Sequence, residues 1–180
     1  DEASQKLTDI HSGIDSTLMI LQHRLKANQG RPAIQVHKEY GDLPPISCHP
    51  SQLNQVFMNL LANAIDALEE TCVGHSYEAL EANPPAIVIR TIPAGRPDQP
   101  TVTIEIQDNG PGIPQEAATK LFDPFFTTKP VGKGTGLGLS ISYRIVTVQH
   151  QGKLSYRSDP EEGTTFVIDL PALIDDLPAA

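Results

Sequence analysis

An apolar repeat between residues 53 and 68 constrains the fold more than any other feature of this sequence. Its apolar side chains lie at offsets 0, 3, 4, 7, 8, 11, 12 and 15 from the first one, which is the spacing of one face of an α-helix. They are Leu53, Val56, Phe57, Leu60, Leu61, Ala64, Ile65 and Leu68. The sequence therefore predicts one unbroken amphipathic helix.

Shorter patterns on both sides of this helix predict two more helices and a set of strands. Apolar residues at helical spacing predict helices over 14–26 and 137–149. Alternating or β-branched runs bounded by turn residues predict strands, two of which form a hairpin over 86–107. The predicted strands are 33–40, 86–92, 101–107, 152–158 and 163–170.

The connecting segments differ in character. Residues 71–85 are polar and irregular, and 171–180 are a tail, whereas 108–133 combine Gly, Pro and Thr with three Phe residues. We interpret 108–133 as a functional loop, because an ordinary linker would not carry the aromatic residues. The order of helices and mostly antiparallel strands predicts an α+β fold, a two-layer sandwich in a single domain.

Composition and charge argue against several classes of protein, including nucleic-acid-binding and membrane-spanning proteins. The formal net charge is −9 and no basic run occurs, which argues against a nucleic-acid partner. No apolar stretch approaches 18 residues, and the acidic N-terminus does not resemble a signal peptide. Cys48 and Cys72 belong to no C-x-x-C pair, so we expect free thiols in a reducing compartment. The expected location is the cytoplasm, with any membrane anchor elsewhere in a longer protein.

The long predicted helix carries a second, polar stripe. Asn59, Asn63, Asp66 and Glu70 lie at offsets 0, 4, 7 and 11 and so share a face. Such a stripe is commonly solvated surface. However, asparagine is a middling helix former, and its amide oxygen can ligate Mg²⁺. Both interpretations stay open at this level.

The predicted strand at 101–107 leads directly into Asp108, followed by the turn-forming residues "NGPG". Asp-Asn-Gly is a strong turn signal, which is one explanation of the pattern. The other is that an acid at the end of a buried strand accepts a hydrogen bond from the amino group of a base, and adenine presents such a donor. The residues alone do not choose between them.

Glycines at alternate positions precede the predicted helix at 137–149. Gly134, Gly136 and Gly138 remove the Cβ atoms that would hold the backbone away from a ligand. The N-terminus of a helix favours an anion, so phosphate is the natural ligand. The spacing matches neither the dinucleotide fingerprint nor the P-loop.

Five motifs together resemble the ATP-binding domain of sensor histidine kinases. In order, they resemble the N box, first glycine box, F box, second glycine box and final glycine box. The motifs are "NQVFMNLLANAIDAL" (54–68), "DNGPGIP" (108–114), "LFDPFFTTK" (121–129), "GKGTGLGLS" (132–140) and "GTTF" (163–166). The resemblance runs from about Asp9 to Leu170. It implies the Bergerat ATP-binding fold, which Hsp90-type chaperones, type II topoisomerases and MutL-type repair proteins share.

The resemblance also implies roles for single residues and the cofactors ATP and Mg²⁺. Asn63 would ligate Mg²⁺, Asn59 would support the metal or its waters, and Asp108 would bind the adenine amino group. The segment from Phe122 to Thr135 would be a mobile lid over the nucleotide. The other implied nucleotide contacts are Asp66, Gly110, Gly112, Ile113, Phe122, Phe126, Thr127, Thr128, Lys129, Lys133, Gly134, Thr135, Gly136, Leu137, Gly138, Leu139 and Thr165.

The motif that carries the phosphoacceptor histidine in this family is missing. None of the six histidines is followed by an acid and then a proline a few residues on. The resemblance therefore implies a catalytic domain, at 9–170, of a protein-histidine kinase (EC 2.7.13.3). It would act on a separate dimerisation and phosphoacceptor domain, and indirectly on a response regulator. Residues 1–8 would be the end of a preceding dimerisation helix or a linker. The start at "DEASQ" fits a fragment of a longer chain, and we expect the fragment itself to be monomeric.

Two alternatives remain beside the kinase. A Bergerat-fold ATPase would carry a glutamate as general base one helical turn before the metal asparagine, and here that position is Asn59; an anti-sigma-type serine kinase is a close variant. A degenerate, non-catalytic docking module is the other alternative. One departure concerns Asp66, where many histidine kinases have a basic residue, so a direct basic contact from this helix to a phosphate is in doubt.

Overall fold

The computed structural model describes residues 4–126 and 137–172, which form seven strands and four α-helices. The strands are β1 (Lys6–Thr8), β2 (Gln35–Tyr40), β3 (Ile46–Cys48), β4 (Ala86–Arg96), β5 (Gln99–Asp108), β6 (Lys153–Asp159) and β7 (Gly163–Pro171). The helices are α1 (Ile10–Leu25), α2 (Pro50–Cys72), α3 (Tyr77–Ala82) and α4 (Gly138–Arg144). A 3₁₀ turn at Gln115–Ala117 follows β5, and a π-helical turn at Ile145–Gln149 continues α4.

The predicted amphipathic helix is confirmed as α2. It begins at Pro50, whose fixed φ suits the first turn of a helix, and it extends past the apolar repeat at both ends. All eight residues of the repeat are buried, none more than 4% exposed. Since burying one large aliphatic or aromatic side chain contributes about 1.5–3 kcal/mol, this face is a main source of folding free energy.

Five strands form one sheet in the order β2-β4-β5-β7-β6. Only β2 and β4 run parallel; the other neighbours are antiparallel. The hairpin predicted over 86–107 is confirmed, and its strands run on to Arg96 and Gln99, which leaves a two-residue turn. One sheet face is apolar and buried with the helices, whereas the other carries ion pairs such as Arg90–Glu39 and Arg157–Glu105. The predicted α+β two-layer sandwich is confirmed.

A second, two-stranded sheet lies at the beginning of α2. Strand β1 pairs antiparallel with β3, with Lys6 opposite Cys48. Residues 6–8 are thus strand, within the segment for which the sequence predicts the end of a helix or a linker. The domain boundary at residue 8 stays a prediction. No helix within 4–126 and 137–172 combines the length and apolar character that a membrane span requires.

Three segments differ from the sequence prediction. Helix α1 begins at Ile10 rather than residue 14, because Asp9 caps it by accepting the His11 N–H at 3.0 Å. The segment 71–85, predicted to be irregular, contains α3; its cap is Ser76, and one buried residue, Leu80, anchors it. The helix predicted over 137–149 is α4 followed by the π-helical turn.

The turn between β6 and β7 depends on Gly163. Its φ of +85° lies in the left-handed region, and a Cβ atom there would overlap the carbonyl oxygen of Asp108 on β5. Gly74 has a similar φ, +84°, but no atom lies within 4 Å of where its Cβ would be. The two glycines therefore separate the effect of backbone strain from that of close approach.

We expect Gly163→Ala to lower the free energy of unfolding by at least about 3 kcal/mol, because steric overlap adds to left-handed strain. The matched control, Gly74→Ala, carries only the strain and should lose about 1–2 kcal/mol. Urea denaturation of the two variants measures both losses. Equal losses would show that Gly163 is needed for its backbone conformation alone.

Candidate functional site

The polar stripe of α2 meets the beginning of α4 through Asn59. The side-chain amide of Asn59 donates to the Gly138 carbonyl oxygen and to the Ser142 hydroxyl, both at 3.1 Å. Ser142 is fully buried, and its hydroxyl in turn donates to the same carbonyl at 2.8 Å. Asn59 therefore fixes the N-terminal turn of α4, where the second glycine box ends, against α2.

The neighbouring members of the stripe have different surroundings. Asn63 is half-buried, and its side chain makes no hydrogen bond to any residue within 4–126 or 137–172. No described residue therefore uses its amide oxygen, which fits the predicted role toward Mg²⁺. Asp66 instead forms an ion pair with Arg24 of α1 at 2.7 Å, and Glu70 is exposed. Among the same residues, no cluster of three or more His, Cys, Asp or Glu side chains suits a metal ion.

A buried carboxylate lies at the C-terminal end of β5. Asp108 is 5% exposed and accepts the Gly110 N–H at 2.9 Å. Burial raises the pKa of Asp108 to about 6, although hydrogen bonds from the backbone of Gly110 and Thr164 act to lower it. An acceptor held in this way, on a buried strand end, suits a ligand that donates an N–H group.

The first glycine box passes close to α2 and β6. A Cβ on Gly110 would lie 2.8 Å from the Asp108 carboxylate and 3.5 Å from the Ala67 Cβ, so the loop can approach this closely only without a side chain. Further on, the Ile113 N–H donates to the Ser158 hydroxyl at 2.6 Å. The loop is therefore attached to the sheet at both ends, and Gly112 lies between these attachments.

The strand register places Thr164 beside Asp108. Thr164 is directly opposite Asp108 on β7, whereas the sequence-predicted Thr165 lies opposite Gln107. Because directly opposed side chains share a sheet face, Thr164 lies on the face of Asp108 and Thr165 on the other. Thr164 is buried, and its hydroxyl is 3.2 Å from that of Ser158.

Sequence reasoning missed both Thr164 and Ser158. A signal was present for Thr164, because the period-two alternation of a strand places it on the same face as the apolar Phe166. No local signal identifies Ser158, since its role depends on the pairing of β6 with β7.

Aromatic residues mark the beginning of the predicted lid. Phe122 stacks on Tyr143 of α4 with ring centroids 5.1 Å apart, and it makes a T-shaped contact with Tyr156 of β6 at a centroid distance of 6.2 Å. Phe126 is half-buried, whereas Phe125 is 74% exposed and has a φ of +64°.

At the start of α4, Leu137 is the N-cap residue and Leu139 packs against the core. The remaining predicted contacts lie outside the described residues. They are Thr127, Thr128, Lys129, Lys133, Gly134, Thr135 and Gly136.

Comparisons with known proteins agree on a family. The model of the family described as "Histidine kinase-, DNA gyrase B-, and HSP90-like ATPase" matches residues 48–174. Sensor kinase CckA of Brucella abortus is 41% identical over 154 residues, which are 82% of this chain and 16% of CckA. Sporulation kinase E of Bacillus subtilis is 38% identical over 130 residues, 72% of this chain and 15% of that kinase. This chain thus spans about one sixth of the length of these two relatives.

Solved structures share the fold. The nucleotide-free catalytic domain of histidine kinase ThkA has a TM-score of 0.72 at 25% identity, covering 93% of this chain and 95% of that domain. Full-length ShkA in complex with AMPPNP has a TM-score of 0.71 at 20% identity, covering 94% of this chain and 31% of ShkA. At that identity the likeness to ShkA concerns the fold alone. The fold expected from the sequence motifs is confirmed.

The raised pKa of Asp108 predicts a specific pH dependence of stability. In the unfolded chain this carboxyl ionises near pH 3.8, whereas in the folded chain it ionises near pH 6. Between these values the folded state holds more protons, so raising the pH through this window lowers stability, by about 3 kcal/mol in total.

An Asp108→Asn variant lacks this titration. We therefore expect the free energy of unfolding of the unsubstituted chain, relative to that of the variant, to fall between pH 4 and pH 7. Urea denaturation across this range tests the prediction. A difference that stays constant with pH would mean that burial does not perturb Asp108.

Proposed function

This chain belongs to the family of histidine kinase-, DNA gyrase B- and HSP90-like ATPases, and from that premise we propose a specific activity. The chain binds Mg²⁺-ATP between α2, α4 and the end of β5, and it donates the γ-phosphate to a histidine. That histidine lies on a separate dimerisation and phosphoacceptor domain of a longer kinase. The observation that carries the proposal is the buried Asp108 carboxylate at the end of β5, where the first glycine box passes Ala67 of α2.

Recognition of the base rests on Asp108. A buried carboxylate with two backbone donors is rigidly placed, and it accepts the amino N–H of adenine but faces the carbonyl oxygen of guanine. Thr164 offers a hydroxyl on the same face. Gly110 leaves room for the base beside Ala67 because it has no side chain, and Gly112 lets the loop approach Ser158 and Asp159 of β6.

Phosphate binding involves Asn63 and Asn59, which lie toward the N-terminal end of the stripe. Asn63 offers an amide oxygen that no described residue uses, and Mg²⁺ accepts such an oxygen together with phosphate oxygens and waters. When bound, Mg²⁺ supplies neutralisation of the charge that develops on the transferred phosphoryl group. Asn59 holds the beginning of α4 in place, so that the backbone N–H groups at the start of α4 face the phosphates. Lys129, Lys133, Gly134 and Gly136, which lie outside the described residues, are the further phosphate contacts that the sequence motifs imply.

The geometry of Asn59 favours the kinase over an ATPase. An ATPase needs a general base to accept a proton from the attacking water. The amide nitrogen of Asn59 instead donates to two oxygen acceptors on α4, and a carboxamide does not take up a proton near neutral pH. Attack by water therefore lacks a base at this position, and ATP persists until the phosphoacceptor histidine is presented.

The relatives support a signalling role. They are named as sensor or sporulation kinases, and sensory histidine kinase/phosphatase NtrB of Rhizobium meliloti is 34% identical over 91% of this chain, 41% of NtrB. We propose that a response regulator receives the phosphoryl group afterwards, that nucleic acid is not a partner, and that the domain is monomeric and cytoplasmic.

We expect this chain to bind ATP in preference to GTP and Asp108→Ala to lose that preference. Loss of a charge-assisted hydrogen bond, worth about 1.5–3 kcal/mol, should weaken ATP binding roughly ten- to a hundredfold. Asp98→Ala, at the exposed hairpin turn, removes the same charge and should bind ATP normally. Calorimetric titration measures all three proteins, and equal affinity of the unsubstituted chain for ATP and GTP would refute this recognition.

Supplied with a separate phosphoacceptor domain and labelled ATP, the chain should form an acid-labile, alkali-stable phosphohistidine. Asn63→Ala should abolish transfer, because the metal loses its protein ligand. Glu70→Ala, an exposed residue two turns further along the stripe, should transfer normally. Brisk phosphate release by the chain alone, or label that survives acid as a phosphoserine does, would favour the ATPase or serine-kinase alternatives.

A further inference from the structure

An arginine from α1 reaches across the polar stripe of α2. The Nη2 atom of Arg24 donates to the Asp66 carboxylate at 2.7 Å and to the Glu69 carboxylate at 3.2 Å. Asp66 lies three residues after Asn63, so their side chains are neighbours on one face, with Cβ atoms about 5–6 Å apart. The guanidinium of Arg24 therefore lies next to the part of the stripe where phosphates are expected.

A second arginine fixes the position of Arg24. Arg31 is 3% exposed, and its guanidinium donates to the backbone carbonyls of Arg24 and Lys26 at the end of α1. It also forms an ion pair with Glu69 at 3.3 Å. The end of α1 is thus held against α2, and the two arginines balance the charges of the two carboxylates. An incoming anion meets no net negative charge from this group.

Arg24 has N–H donors that its two ion pairs do not use. Both of its ion pairs use Nη2, and its Nε and Nη1 atoms make no hydrogen bond with residues of the described ranges. Its side chain is 29% exposed, so part of it is open to a ligand. The planar guanidinium fork matches the oxygen atoms of a phosphate.

Helix α2 itself offers no cation, since it contains no Lys, Arg or His. We propose that Arg24 binds a phosphate group of the nucleotide and that Asp66 and Glu69 position it for this contact. The inference rests on the proposed function, because it requires a nucleotide phosphate beside Asn63. It also gives Asp66 an indirect role in nucleotide binding, as the residue that holds a cation supplied by another helix.

The test compares ligands with and without phosphates. Binding of adenosine, ADP and a non-hydrolysable ATP analogue, each with Mg²⁺, is measured by calorimetry for the unsubstituted chain and for Arg24→Gln. We expect the substitution to weaken ADP or ATP-analogue binding about ten- to a hundredfold while changing adenosine binding less than twofold. Arg24→Lys, which keeps the charge but not the fork, should lose less.

Controls separate this contact from charge and stability effects. Arg96→Gln removes an equally charged side chain at the far end of the β4–β5 hairpin and should bind every ligand normally. Asp66→Asn should weaken binding of the phosphorylated ligands, although it removes a negative charge. Equal losses for adenosine and the ATP analogue, or a gain in affinity from Asp66→Asn, would overturn the role of Arg24. If the unsubstituted chain binds no nucleotide at all, the proposed function itself fails.

Discussion

The packing of α2 against the sheet is the interaction on which the rest of this structure depends. Its apolar face is buried over the full predicted repeat, and it packs against β5 in a core to which β4, β5 and β7 all contribute isoleucines. Because this burial fixes the rotation of the helix, it also fixes where the polar stripe points. Asn59 then meets α4, and Ala67 meets the turn after β5. The site is thus a consequence of the core rather than an addition to it.

The candidate site retains polar groups at a cost in stability. An ionised Asp108 in the buried end of β5 is unfavourable, as its raised pKa indicates, yet two backbone N–H groups orient it and no described cation neutralises it. A carboxylate that is oriented but not neutralised keeps its capacity for a donor from a ligand. The tight turn at Gly163, which touches the backbone of Asp108, holds this strand end in place. Rigidity around Asp108 is therefore part of how the site is prepared.

Acidic residues of α2 form ion pairs with arginines that lie outside the helix. The helix carries three acidic residues and no basic ones, and two of the three, Asp66 and Glu69, pair with Arg24 of α1 and with Arg31 of the segment after it. A contact 42 residues apart in sequence joins Arg24 to Asp66. In the proposed role of Arg24, α1 supplies the cation that many histidine kinases place at the position of Asp66.

The sequence by itself determined the long helix, the hairpin, the fold class and the identities of Asn63 and Asp108 as candidate ligands. These features follow from the local sequence. The period of the apolar residues predicts which face of a helix or strand is buried, and turn-forming residues predict where a strand ends. Tertiary structure alone decided that Arg24 pairs with Asp66, that Ser158 holds the first glycine box, and that Thr164 rather than Thr165 lies beside Asp108. Each of these depends on strand register or helix packing between distant segments, which no local period specifies.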